Sequence, residues 1–284
     1  MASNQTTGIS VNLSTGEVNA GTVQFRNRII NGDMRIAQRG ASISFSSGSL
    51  QTFCVDRFVA ITNITTGAMT MNQVSLSTSD APYQMGIQNS LRLTATTGLS
   101  SYVWCGLSQY IEDKNIADLN WGTSYGAPIS VSFWIRANVP NGSLLGFNVR
   151  SGLFSVAYNV NIFYIQNNSW QFVTLLVPPP PAGTLWTSNG RGLQIYIAGN
   201  QNLQSQTAIE GWTTTGNLWG LTTTYKPFVV TGQWVEWTSV QLEKGPKATP
   251  FEFRPYPIEL QLCQRYCELI IRGVWGWGGA SGLQ

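Results

Sequence analysis

The sequence predicts an all-β protein: an antiparallel β-sandwich, preceded by an extended N-terminal arm and followed by one C-terminal helix. Three observations predict it. Apolar residues recur with a period of two from Ile29 to about Phe253. Clusters of Gly, Asn, Ser and Pro cut that stretch into short runs, as turns do between antiparallel strands. One segment, residues 257–271, switches to a helical period.

The arm comes first. Ser, Thr, Asn and Gly dominate Thr6 to Thr22, and no period is sustained there, so residues 1–28 read as an extended segment packed on a neighbour or on another copy. Residues 29–253 form the sandwich. Phe58, Ala60, Thr62 and Ile64 mark an early strand, and Leu91 and Leu93 another. Ile129, Val131, Phe133 and Ile135 alternate with Ser130, Ser132, Trp134 and Arg136. Leu145, Phe147 and Val149 follow the turn Pro140-Asn141-Gly142-Ser143. Phe172, Thr174 and Leu176 share a face, as do Leu193, Ile195 and Ile197, and Thr238, Val240 and Leu242. The run Pro178–Pro181 has no backbone N–H to give a ladder and must be a loop or an edge crossing.

Residues 254–284 hold the helix and a Gly/Trp-rich tail. Pro257 suits a first turn, with Glu259 close behind, and Gly273 is a C-terminal stop. Leu262, Tyr266 and Leu269 share a face, widened by Cys263, Cys267 and Ile270. Trp275 and Trp277 sit near the chain end. Together with Leu262, Tyr266, Leu269 and Ile270 they are the expected oligomer contact.

Composition excludes several chemistries. The 284 residues include no histidine, which removes Ser-His-Asp catalysis, His-ligated metals and His switches. Only 10% are charged, against roughly 25% in an average soluble domain. Ser, Thr, Asn and Gln number 26, 27, 21 and 19, so the surface must be wetted by hydroxyls and amides. The net charge of +3 comes without a basic block, so no nucleic-acid partner is expected. No apolar run approaches the roughly 18 residues of a membrane helix, and Met1-Ala2-Ser3-Asn4-Gln5 opens no signal segment. Cys54, Cys105, Cys263 and Cys267 read as small buried apolar residues, with neither disulfide nor zinc spacing.

Two stretches carry a specific pattern: Asn27-Arg28-Ile29-Ile30-Asn31-Gly32-Asp33-Met34-Arg35-Ile36-Ala37-Gln38-Arg39-Gly40, and Gln241-Leu242-Glu243-Lys244-Gly245-Pro246-Lys247-Ala248-Thr249-Pro250-Phe251-Glu252 running into Cys263-Gln264-Arg265-Tyr266. With Ser108–Glu112 and Val131–Ala137 between them, they resemble a family of bacteriophage tail-fibre and virion structural proteins. Cys267 stands where that family has a second Tyr, and 17 residues follow it, where many members carry a distal receptor-binding region. The resemblance implies a jelly-roll domain similar to carbohydrate-binding modules, located on a virion, assembled with other virion proteins and with itself, most simply as a homotrimer. It implies no enzyme and no cofactor. Such modules often hold Ca²⁺, with Asp33 at the first ligand position. Thr238 and Ser239 stand where further acids would be, so no metal is expected.

Glycan cleavage needs two carboxylates across the bond. Glu112 and Asp113 are adjacent, and on a strand would face opposite ways. The aromatic surplus points elsewhere. Trp186, Trp212, Trp219 and Tyr225 lie among Gly, Thr and Asn, where they could stack on host polysaccharide or seal subunit contacts. The expected function is a non-enzymatic virion protein, a tail fibre or fibre adaptor. The alternatives are a carbohydrate-binding adhesion module and a capsid decoration protein or head fibre.

Overall fold

The computed structural model describes residues 9–12, 17–20, 25–184, 190–197, 206–214 and 220–268. In chain order the strands are β1 (Ile9–Asn12), β2 (Glu17–Ala20), β3 (Ser42–Phe53), β4 (Val59–Ser75), β5 (Asn89–Glu112), β6 (Ile129–Ala137), β7 (Ser143–Ser151), β8 (Ala157–Tyr164), β9 (Gln171–Val177), β10 (Arg191–Ile197), β11 (Gln206–Thr207), β12 (Gly211–Thr213), β13 (Gly220–Leu221) and β14 (Trp234–Lys244). The helices are α1 (Ala81–Gln84) and α2 (Tyr256–Gln264). Within the arm, β1 and β2 pair as a small antiparallel hairpin.

The sandwich is built by strands long enough to serve both layers. The first part of β5, Leu91–Thr94, pairs with β14, and its last part, Leu107–Glu112, pairs with β10. Strands β3 and β4 run alongside for the whole length. One layer is therefore β9–β6–β14–β5–β4–β3, and the other is β12–β8–β7–β10–β5–β4–β3. Register shifts in the β4–β5 pair cluster at residues 63–69, where Gly67 takes φ 115°. A Cβ at Gly67 would lie 2.6 Å from Leu99 Cδ2 and 2.9 Å from the Gly98 carbonyl, so both its conformation and its space call for glycine. The layers meet where Phe133 of β6 stacks on Phe147 of β7, with centroids 5.9 Å apart. Tyr164 of β8 also reaches across and accepts the Ala137 N–H at 2.9 Å.

The alternating residues of β6, β7 and β10 fill one core, as their period predicts. The structure corrects three details. On β9 the shared face of Phe172, Thr174 and Leu176 points outward, while Val173 and Val177 are buried. On β14 Thr238 does not share a face with Val240 and Leu242. A bulge between Thr238 and Gln241, with Ser239 at φ 56°, shifts the register so that Val235 and Trp237 precede Val240 and Leu242 in the core. Helix α2 is shorter than expected. It ends at Gln264, and Leu269 and Ile270 lie outside the described residues.

Polar composition reaches the interior as well. On β10, β5, β7 and β8, Gln194 donates to Ser108 Oγ at 2.8 Å, and Asn148 donates to Asn159 Oδ1 at 2.6 Å. All four are fully or almost fully buried. Neutral amides and hydroxyls can be buried in pairs at far smaller desolvation cost than charges.

Candidate functional site

The two end motifs converge on one polar clasp. Arg254, almost wholly buried, donates to the Ile29 carbonyl at 3.1 Å and to the Asn27 carbonyl, and pairs with Glu259 at 3.2 Å. Glu259 of α2 accepts the Asn31 N–H. Glu252 accepts the Asn27 N–H at 2.8 Å, and Asn27 Oδ1 accepts from Leu242 N at 3.0 Å. Asn31, at φ 60°, closes its own loop through Ile36 and also donates to the Asp56 carbonyl at 2.9 Å. Gly32 is required because a Cβ there would lie 2.2 Å from the Val240 carbonyl oxygen. Asn27, Asn31, Gly32, Glu252 and Arg254 are thus each tied to residues at the other end of the chain or in their own loop.

This clasp also determines where α2 goes. Leu262 and Tyr266 pack with Leu260 onto Ile30, Ile36 and Cys263 of the same chain. The Arg57 guanidinium lies 3.4 Å from the Tyr266 ring centroid. Burial, with the Glu112 carboxylate nearby, pushes the Tyr266 phenol up to about 12 despite Arg57. The part of the helix expected to meet another subunit is thus engaged internally, and residues 254–268 belong to the same packed unit as residues 25–36. Trp275 and Trp277 lie outside the described residues.

The positions where the resemblance places calcium ligands make other contacts. Asp33 pairs with Arg35 at 3.1 Å, and the Thr238 hydroxyl donates to the Asn89 carbonyl at 2.6 Å. Among the described residues no three Cys, Asp or Glu side chains gather into a group that could hold a metal.

At one end of the sandwich the chain leaves β5 through two 3₁₀ turns, Asp113–Asn115 and Ala117–Leu119, and then a loop to β6. Two adjoining hollows open there. One, about 330 Å³, is lined by Asp113, Lys114, Ile116, Ala117, Asn120, Trp121 and Thr123. The other, about 440 Å³, is lined by Glu112, Asp113, Lys114, Gly190 and Arg265. Both volumes fall within the roughly 300–1,000 Å³ of small-ligand sites. The Trp121 indole is fixed by a 2.6 Å bond to the Ala127 carbonyl, and Tyr125 on the same loop is 82% exposed. Glu112 and Asp113 line one hollow together, because β5 ends at Glu112 and strand alternation no longer separates them. Both carboxylates have partners within the chain. Glu112 pairs with Arg265 at 2.9 Å and accepts from Asn115, while Asp113 accepts the Lys114 N–H at 2.7 Å.

Trp212 of β12 lies directly behind this end. Its ring is 5.7 Å from Trp121 and 5.4 Å from Tyr158, both edge-on, and its indole donates to the Pro178 carbonyl at 3.0 Å. Burial, with Glu210 nearby, raises the Tyr158 phenol above its usual value. Tyr225 sits elsewhere: its N–H donates to Leu144 and its hydroxyl accepts from Gln233 at 2.8 Å. Trp186 and Trp219 fall outside the described residues. Sequence reasoning overlooked Asn120, Trp121, Thr123 and Tyr125, although Asn120-Trp121-Gly122-Thr123-Ser124-Tyr125-Gly126 carries the same aromatic-in-Gly/Thr/Asn signal as the stretch containing Trp212.

A second aromatic cluster lies on the outer face of the β9–β6–β14–β5 layer. Arg136 stacks on Trp170 at 4.6 Å, and Arg92 stacks on Trp234 at 4.3 Å. Buried Glu236 receives both guanidinium groups, and Asp80 takes Arg136 at 3.0 Å and the Trp170 indole at 2.9 Å. Beside it Trp134 packs on Phe172 at 5.3 Å.

No family model and no curated protein matches the chain. Solved structures with low similarity include the enzymatically active domain of tailspike protein 4 from bacteriophage CBA120, 13% identical at a TM-score of 0.40, covering 77% of this chain and 21% of that one. A putative sugar-binding protein from Bacteroides thetaiotaomicron is 13% identical at a TM-score of 0.40, covering 77% and 99%. A family 11 carbohydrate-binding module from Clostridium thermocellum, solved with a mixed-linked tetrasaccharide, is 8% identical at 0.33, covering 74% and 99%.

Proposed function

We propose that this chain is a non-enzymatic, glycan-binding β-sandwich of a phage virion, acting in a tail fibre or fibre adaptor at the host surface. The observation that carries the glycan reading is the pair of adjoining hollows at residues 112–123, walled by a fixed indole. A sugar ring presents an apolar face and a rim of hydroxyls. Exposed Tyr125 suits the face, with the largely buried Trp121 indole at the floor of the hollow, and Asn120, Thr123 and Lys114 suit the rim. The non-enzymatic reading is supported by the pairing of Glu112 with Arg265 and Asn115 and of Asp113 with the Lys114 N–H. The virion assignment rests on the motif resemblance.

A purely structural role for the aromatics is favoured by Trp212, whose ring and indole N–H are already engaged within the fold. The two roles separate experimentally. Tyr125→Ala combined with Asn120→Ala should abolish retardation of the protein in gels containing host surface polysaccharide, with an unchanged thermal midpoint. Trp212→Ala should lower that midpoint. Unchanged retardation in the Tyr125/Asn120 variant would remove this site from consideration.

A further inference from the structure

We infer that the glycan taken by the hollows at residues 112–123 is anionic, with carboxylate or phosphate groups on its sugars. The inference rests on the glycan reading of that end and names the class of glycan.

The fold gathers cations that the sequence disperses. Six of them touch or belong to the short stretch 110–118. Arg28 donates to the Asn115 carbonyl at 3.0 Å and pairs with Asp118 at 2.8 Å. Lys244 donates to the Asp118 carbonyl at 2.6 Å, and Arg57 to the Tyr110 carbonyl at 2.6 Å. Arg191 lies over the Tyr110 ring at 4.8 Å and faces Glu112 across the β10–β5 ladder. Arg265 pairs with Glu112 at 2.9 Å. Lys114 lies in the stretch itself.

The acids of the same stretch are Glu112, Asp113 and Asp118, half as many. Asp118 is shared by Arg28 and Lys244. Both Asp113 oxygens accept backbone N–H groups, that of Lys114 at 2.7 Å and that of Gly190 at 3.4 Å. Six cations against three acids leave an excess equal to the +3 of the whole chain. With Glu268 counted as well, exposed three residues beyond Arg265, the excess is still cationic.

This excess is aimed at the hollows. Lys114 lines both, is exposed, and makes no ion pair among the described residues. Exposed Arg265 lines the second. A concave surface of one sign concentrates ligands of the other. The rim of Asn120 and Thr123 beside exposed Tyr125 suits a hydroxylated ring, so the anion is carried on a sugar chain.

Titration calorimetry of the full-length protein tests this, with host surface polysaccharide in native, carboxyl-reduced and dephosphorylated forms. One of the two treatments should weaken binding by about tenfold or more, and which one does so identifies the anionic group. Lys114→Glu should weaken binding of the native form by about tenfold. Lys226→Glu makes the same charge change beside Tyr225, at the Leu144 end of β7, and should leave binding as it is. Equal binding of all three forms overturns the inference and leaves the glycan reading standing, whereas no binding of any form overturns both. Equal losses from Lys114→Glu and Lys226→Glu overturn it too, as does single-stranded DNA bound as tightly as the native polysaccharide.

Discussion

Replacing Arg254 by alanine should be among the most damaging single changes in the protein. The guanidinium is almost wholly buried and holds three kinds of partner at once: the Asn27 and Ile29 carbonyls, Glu259 and Glu252. Truncation leaves Glu259, only 3% exposed, as an uncompensated buried charge. Removing one partner of such a pair costs about 3–5 kcal/mol. For a protein of this size that corresponds to a fall in midpoint of roughly 10 °C. The loss should spread from the Asn31 loop to α2, since Glu259 also takes the Asn31 N–H. Urea unfolding of Arg254→Ala, Glu259→Gln and the double variant measures the coupling. The double variant should be clearly less damaged than the sum of the two singles, because the buried charge and its lost partner are removed together. A loss below about 0.5 kcal/mol for Arg254→Ala, the range of ordinary surface changes, would refute the view that the end motifs encode a clasp.

The same region should respond to pH. Burial, reinforced by Glu259 and opposed by Arg35, pushes the Asp33 carboxyl up from 3.8 to about 6. The native state then holds a proton that the unfolded chain has released between about pH 4 and 6, so stability from this group is present below pH 4 and is lost as pH rises to 6. The loss is on the order of 3 kcal/mol at most, and Asp33→Asn should flatten that part of a stability–pH curve. Gly32→Ala should cost roughly 1–3 kcal/mol by overpacking against the Val240 carbonyl, measured in the same urea assay. Cys54, Cys105 and Cys263 are buried, and burial raises all three thiols, that of Cys54 to about 11. Native protein should therefore react with a thiol reagent at one cysteine of the four, half-buried Cys267, and denatured protein at all four.

The layers were legible because alternation on β6, β7 and β10 is strict and each strand buries the face that its apolar residues mark. It failed at Thr238 because one bulged residue inverts everything beyond it, and a bulge leaves no periodic trace in a run as short as β14. On β9 both faces are apolar, so the period identified a strand without saying which side was inside. The helix was visible from Pro257 and Glu259, but its stop was not, because the chain leaves helical geometry at residues 265–268 without a glycine. Its wide apolar stripe suggested a neighbouring subunit. Within the chain that stripe packs on Ile30 and Ile36, more than 220 residues earlier, a contact that sequence spacing cannot express. For the candidate site, only the principle that aromatics among small polar residues mark a surface carried over. It was applied to residues 186–225, and the 120–126 loop with the same character was passed over.

The most direct test of glycan binding at the 112–125 end is a crystal of the full chain soaked with an oligosaccharide prepared from the host's surface polysaccharide. The account predicts sugar density in the hollows lined by Asp113, Lys114, Asn120 and Thr123, with a ring against Trp121 or Tyr125. Density instead on the outer face at Trp134, Phe172, Trp170 or Trp234, or no bound sugar at saturating concentration, would contradict it.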